Sequence, residues 1–211
     1  MSTTGPDAGA GPVRPRSRAD LRIVLIHGNA GASVEGIWFP YLRRELEALG
    51  HRVVAETFPD PIKGRMRFWL PYLTDVVRPD ENTVIVGHSS GALAAFRYAE
   101  TAPLLGTFAV AGHHTDCGFE LERRSGFFDR PWDWDAIRAN QRFIAQFHSK
   151  DDPWVPFEVA EELHELTGSD FTAMDGMGHF GSYEQQMETF PELLDAIRRR
   201  LESPLTWQED G

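Results

Sequence analysis

The stretch Thr83-Val84-Ile85-Val86-Gly87-His88-Ser89-Ser90-Gly91-Ala92-Leu93-Ala94-Ala95-Phe96 runs from four β-branched residues, through a short turn, into a series of small helix formers. The first four favour a strand buried on both faces, and the last five favour a helix. The turn between them has the pattern G-x-S-x-G. Alone that pattern is weak, because three fixed small residues recur by chance. A strand before it and a helix after it make it specific. Such a turn accepts little but glycine on either side of the serine and lifts the serine clear of the sheet. The start of the following helix also favours negative charge, such as develops on oxygen during acyl transfer. Ser89 is therefore the expected nucleophile, and the Ser90 backbone N–H an expected oxyanion donor. The plain alternative is an ordinary Gly/Ser-rich strand-to-helix turn, or one that binds phosphate. The Ser90 hydroxyl sits one place off the motif, and His88 reads as packing or hydrogen bonding.

On either side of this stretch, short apolar runs alternate with helical patterns. Strands are expected at 21–26, 52–57, 83–86, 107–111, 142–148 and 171–174. Helices are expected at 38–49 (stopped by Gly50), 65–77 (disturbed by Pro71), 92–100, 157–167 and 183–201. Apolar strands separated by helices predict an α/β fold of about six mainly parallel strands with helices on both faces. Residues 112–140 exceed a simple crossover and read as an insertion near the site. No internal repeat is present.

A serine hydroxyl needs an adjacent base. The chain has eight histidines. In this chain order the base comes last, beyond the final strand, and His179 in Gly176-Met177-Gly178-His179-Phe180-Gly181 meets that rule. His113 and His114 follow the fourth strand and are second choices, with His113 also a candidate pocket residue; His164 lies mid-helix. The acid is expected after the penultimate strand, where Lys150-Asp151-Asp152-Pro153-Trp154-Val155-Pro156 offers two aspartates. Spacing alone does not separate them. Asp152 is preferred because an acid followed by a short apolar turn ending in Val-Pro is the usual arrangement, leaving Asp151 as helper or solvated; Asp116 and Asp175 are weaker alternatives. Its carboxylate is to orient the imidazole through Nδ1–H. A second oxyanion donor is expected from His27-Gly28-Asn29-Ala30-Gly31, with the Asn29 amide favoured and Ala30 close behind, and with His27 read as structural. Trp132 and other aromatics of the insertion, with Trp154 beside the acid, could line a substrate pocket or simply pin the insertion.

A chain of 211 residues suits one domain, expected over 21–202, with a Gly/Pro/Ser-rich disordered tail at 1–20 and a loose tail at 203–211. The net charge of −11 argues against a nucleic-acid partner, which needs a dense positive face. No apolar run approaches the roughly 18 residues of a membrane span, and the N-terminus lacks the apolar core of a signal peptide. A lone cysteine, Cys117, allows no internal disulfide. Together these predict a cytoplasmic protein with no membrane partner; oligomeric state is not legible.

Several pieces taken in order carry a family resemblance: Gly28-Asn29, Pro59-Asp60-Pro61, Trp69-Leu70-Pro71, Gly87-His88-Ser89-Ser90-Gly91-Ala92 and Arg97-Tyr98-Ala99-Glu100. Further on come Ser125-Gly126-Phe127-Phe128, Arg130-Pro131-Trp132, Ala139-Asn140, Asp151-Asp152-Pro153 and Gly178-His179-Phe180. The chain resembles the small serine hydrolases grouped with retinoblastoma-binding protein 9 and the bacterial YdeN proteins. The resemblance implies a compact α/β-hydrolase fold without a large cap domain, and a triad that falls on Ser89, Asp152 and His179. The retinoblastoma-binding pattern L-x-C-x-E is absent, since Thr115 and Phe119 flank Cys117, so no pocket-protein partner is implied. Ala30 also stands where a glycine is more usual.

The function expected is hydrolysis of small carboxylic esters, and by extension amides, through an acyl-enzyme on Ser89, with no metal or organic cofactor. An aminopeptidase-like action on amino-acid derivatives is a second enzymatic reading, and acyl transfer to an acceptor other than water is a third. From another class, a non-catalytic protein-interaction module could keep the same fold.

Overall fold

A computed structural model describes residues 21–181 and 186–203. The sequence places its apolar β-branched runs in six strands: β1 (Arg22–Ile26), β2 (Arg52–Ala55), β3 (Thr83–His88), β4 (Leu104–Val110), β5 (Gln141–Ser149) and β6 (Asp170–Met174). They form one sheet in the order β2-β1-β3-β4-β5-β6, and every neighbouring pair is parallel. Parallel strands need crossovers on the sheet faces, so the central strands are apolar on both sides. Ile23, Leu25, Val84 and Val86 face one layer, while Val24, Ile26 and Ile85 face the other.

The first layer is α1 (Phe39–Ala48) with α7 (Pro191–Glu202), which contribute Phe39, Leu42, Leu46, Leu193 and Ile197. The second holds α2 (Met66–Pro71), α3 (Ser90–Ala99), α5 (Trp134–Ala139) and α6 (Phe157–Thr167). Pro71 does not end its helix. The chain continues as a π-helical turn over Tyr72–Val77, a wider winding consistent with the missing Pro71 N–H and the bulk of its ring. Of the insertion, α5 serves as the crossover onto β5, and the excursion before it carries only the four-residue α4 (Glu120–Arg123). The last helix begins at Pro191 rather than 183, because proline's fixed φ and absent N–H suit a first helical position. Residues 182–185 and the tails expected at 1–20 and from 204 onward lie outside the described residues. Among the described residues no helix is long and apolar enough to cross a membrane.

The sheet order places the site. β1 leads outward to β2, whereas β3 leads the other way to β4, so the chain reverses direction between β1 and β3. A crevice opens there at the C-terminal strand ends. The loops after β1 and β3 meet in it, and those after β5 and β6 approach from one side.

Arg97 fastens the insertion to this frame. It is fully buried on α3, and its guanidinium donates to the carbonyls of Phe127, Arg130 and Pro131 and to Glu100 Oε1 at 2.6 Å. Its planar group also lies 3.6 Å above the Trp132 ring. Removing one partner of a buried charge network leaves the others desolvated and unpaired. Arg97→Met is therefore expected to destabilise the protein by about 3–5 kcal/mol, read as a fall in the urea midpoint at unchanged slope.

Candidate active site

Ser89 stands between β3 and α3 with φ +53° and ψ −121°, a strained backbone for a residue with a side chain. Three features hold it there. Its N–H bonds the Val110 carbonyl at 2.8 Å, continuing the β3–β4 ladder, and its carbonyl accepts from Ala92 N–H at 2.9 Å. Gly87 and Gly91 then allow the turn to close. A Cβ on Gly87 would stand 2.5 Å from the Gly91 carbonyl carbon, and one on Gly91 would stand 2.3 Å from the Ile26 carbonyl oxygen. Glycine on both sides is thus a steric requirement of α3 packing against β1.

The loop after β6 carries His179. Its Nδ1 donates to Asp152 Oδ2 at 2.7 Å, which leaves Nε2 unprotonated in the neutral ring. Asp152 sits in the loop after β5, and its other oxygen, Oδ1, accepts the N–H groups of Trp154 and Val155 at 2.9 and 3.0 Å. Burial opposes the Asp152 charge, but the His179 contact and these two amides outweigh it and hold the carboxyl below the usual range. Asp151 does separate work. Its Oδ1 accepts from Ser149 Oγ and from the N–H groups of Gly176 and Gly178, fixing the loop that presents His179. Asp116 instead closes its own loop with Gly118 and Arg123, and Asp175 pairs with Lys150 on the surface.

His88 braces the backbone of His179. Its Nε2–H donates to the His179 carbonyl at 2.9 Å, and burial beside His179 pushes it down to about 3, so it stays neutral. His27 accepts the Phe58 N–H on Nε2 and donates from Nδ1 to the Gly28 carbonyl at 2.6 Å, which shapes the loop after β1.

Ser89 and His179 line one open cavity of about 850 Å³ with Trp154, Phe119, Leu121 and Ile37. No direct hydrogen bond joins Ser89 to His179 among the described residues; in unliganded sites such contacts are often long and tighten on substrate binding. Ser90 opens α3, so its N–H has no intrahelical partner. Ala30 N–H is engaged with the Ile62 carbonyl at 3.0 Å, while the Asn29 N–H has no partner among the described residues. Of the two amides weighed for the second oxyanion donor, Asn29 is the one left open.

Of the expected pocket residues, His113 and Trp154 line the cavity, and the Trp154 ring lies 4.8 Å from that of His179. Trp132 does not. It stacks on Trp134 at 5.2 Å under Arg97 and donates to the His114 carbonyl, pinning the insertion. Ile37, Phe119, Leu121 and Glu122 also line the cavity without having been expected there, and Glu122 on α4 stands out because its Oε1 accepts from Asn29 Nδ2 and Ser90 Oγ. An acid in an insertion of unassigned structure carries no pattern that points inward. Among the described residues, no group of three or more His, Cys, Asp or Glu is placed to hold a metal ion.

The family model described as "Serine hydrolase" matches residues 23–199. The serine hydrolase RBBP9 of Rattus norvegicus is 38% identical over 182 residues, covering 85% of this chain and 95% of that protein. The crystal structure of the ydeN gene product of B. subtilis superposes with a TM-score of 0.80 at 26% identity, covering 87% of this chain and 100% of that one. Mouse alpha/beta hydrolase domain-containing protein 10 superposes with a TM-score of 0.60 at 14% identity over 85% of this chain and 89% of that one, a likeness of fold. The chain has the α/β-hydrolase fold and belongs to the serine hydrolase family typified by RBBP9 and YdeN.

Proposed function

We propose that this serine hydrolase cleaves small carboxylic esters through an acyl-enzyme on Ser89. The observation that carries the reading is the Asp152–His179 pair, 2.7 Å apart, whose imidazole lines the cavity into which the β3–α3 turn raises Ser89. A cavity of about 850 Å³ with a largely apolar rim suits a small-molecule substrate.

In this reading Ser89 Oγ attacks the ester carbonyl carbon while its proton passes to His179 Nε2. The negative charge that develops on the carbonyl oxygen is held by the N–H groups of Asn29 and Ser90. Asp152 stabilises the imidazolium without taking its proton. His179 then protonates the departing alkoxide, and the alcohol leaves. Water attacks the acyl-enzyme while His179 takes its proton, and returning that proton to Ser89 Oγ releases the carboxylic acid. The same groups serve an amide if His179 protonates a leaving amine, so a paired series of esters and amides of one acid is the measurement that ranks them.

A fluorophosphonate probe is expected to add one adduct at Ser89, located by mass spectrometry and absent in Ser89→Ala. Well-folded wild type that takes no label sinks the reading and favours an interaction module on a hydrolase fold. Asp152→Asn is expected to lower kcat by about 10⁴-fold, because the imidazole loses its tautomer and orientation. The same variant tests the electrostatics. A carboxyl whose folded pKa lies below its unfolded value of about 3.9 adds stability above that pH, and loses it as pH falls through the folded value. Urea midpoints measured from neutral pH down to acid are expected to decline less steeply in Asp152→Asn than in wild type.

A further inference from the structure

The two amides proposed to hold the oxyanion belong to different loops. Asn29 follows β1 and Ser90 follows β3, and no backbone hydrogen bond joins the two residues among the described ones. Their side chains, however, converge on one atom. Glu122 Oε1 accepts from Asn29 Nδ2 at 2.5 Å and from Ser90 Oγ at 3.2 Å. A carboxylate oxygen has two lone-pair directions, so it can take both donors at once, and bonds to a charged acceptor are stronger than neutral ones. We propose that Glu122 is a positioning residue that ties the two halves of the oxyanion hole together from the insertion. This inference rests on the acyl-enzyme reading above and adds a part to it.

The local structure suits a fixed latch. Glu122 is 8% exposed, and its helix is anchored on both sides. Arg123 pairs with Asp116 and Glu120, and Ser125 donates its N–H to the Glu122 carbonyl while its own carbonyl accepts from Met66 N–H. Stability alone gives a poor account of the carboxyl. Its Oε2 is buried without a hydrogen-bond partner among the described residues, and an unsatisfied buried oxygen carries a desolvation cost.

Glutamine should serve almost as well, for a reason visible in the neighbour. His113 Nδ1 lies 2.7 Å from the Thr115 carbonyl, which can only accept, so Nδ1 carries the proton and Nε2 of the neutral ring is an acceptor. That Nε2 lies 3.9 Å from Glu122 Oε2, two acceptors face to face. In Glu122→Gln the amide oxygen keeps the bonds to Asn29 and Ser90, and the amide N–H₂ faces the His113 nitrogen. A carboxylate beside the oxyanion also opposes the developing negative charge, which the amide does not. Position, rather than charge, is the property at stake.

The test is steady-state hydrolysis of p-nitrophenyl acetate by wild type, Glu122→Ala, Glu122→Gln, Ser90→Ala and the Glu122→Ala/Ser90→Ala double variant, with thermal melts beside each. Loss of one oxyanion donor costs about 10²–10³-fold in kcat, so a loosened hole in Glu122→Ala is expected to cost about 10²-fold. The loss should fall on kcat with KM within about threefold of wild type, since the oxyanion that the positioned amides stabilise develops in the transition state and not in the ground state. Glu122→Gln is expected to recover about tenfold or more of that loss, and the double variant to be no worse than Glu122→Ala by more than about threefold, because both changes cut one linkage. A Glu122→Ala enzyme within about threefold of wild-type kcat, or one whose loss lies in KM, overturns the inference. So does a fully additive double variant. If Glu122→Ala fails to fold, Ser90→Ala and Asn29→Ala carry the test. Each is expected to lower kcat by about tenfold, and wild-type rates in both overturn it. Wild type that neither turns over the ester nor labels at Ser89 is a separate result that removes the acyl-enzyme reading, and this inference with it.

Discussion

Everything at this site depends on how closely α3 can approach β1. Two absent side chains set that distance: Gly91, whose missing Cβ would overlap the Ile26 carbonyl, and Gly87, whose missing Cβ would overlap Gly91. Because the helix is so near, the connection from β3 must turn at once, and the residue at the turn takes φ +53°. A non-glycine backbone in such a region costs on the order of 1–3 kcal/mol. Burial offsets it, since all ten residues of α3 are buried and the helix packs along the centre of the sheet. The strain, the small-residue helix and the raised Ser89 are one structural fact.

The same packing sorts the histidines. His27, His88, His113, His148 and His179 are all buried, and burial disfavours a charged imidazole. His88 and His148 are pushed down to about 3 for that reason. His179 alone among these five has a carboxylate at hydrogen-bond distance, which can stabilise a proton taken up at Nε2. The other four are neutral hydrogen-bonding or packing groups near the crevice: His27 shapes the first loop, His88 braces the His179 backbone, and His113 ties down the chain after β4.

The two aspartates after β5 divide the remaining labour. Asp152 spends one oxygen on the imidazole and the other on its own turn, so its position is fixed from both ends. Asp151, one residue earlier, reaches across to the amides of Gly176 and Gly178 and so holds the His179 loop by its backbone. Two adjacent acids on an irregular segment thus face different partners. Spacing along the chain does not separate them; the short turn ending in Val155-Pro156 favours Asp152, and the β6 loop brings the imidazole to that carboxylate.

Features that depend on neighbours in the chain were legible in the amino acids themselves. The β-branched runs specify strands, the turn flanked by Gly87 and Gly91 marks Ser89, and the chain order expected of nucleophile, acid and base points to the His179 that the structure pairs with Asp152. Pro71 and Pro191 show the limit of that reading even locally, since a proline can widen a helix as well as stop one, or start it. Contacts between distant segments were not legible. Trp132 reads as a pocket aromatic until Arg97 is found lying on it, Ala30 rivals Asn29 until Ile62 takes its N–H, and Glu122 is silent until α4 folds over the cavity. Strands and turn could be read from the amino acids because they follow from backbone sterics within a few residues, and the chemistry on offer because it belongs to each residue type. Which side chains share a hydrogen bond was settled by the fold, because that depends on how residues 27 to 93 positions apart come together at the C-terminal ends of the strands.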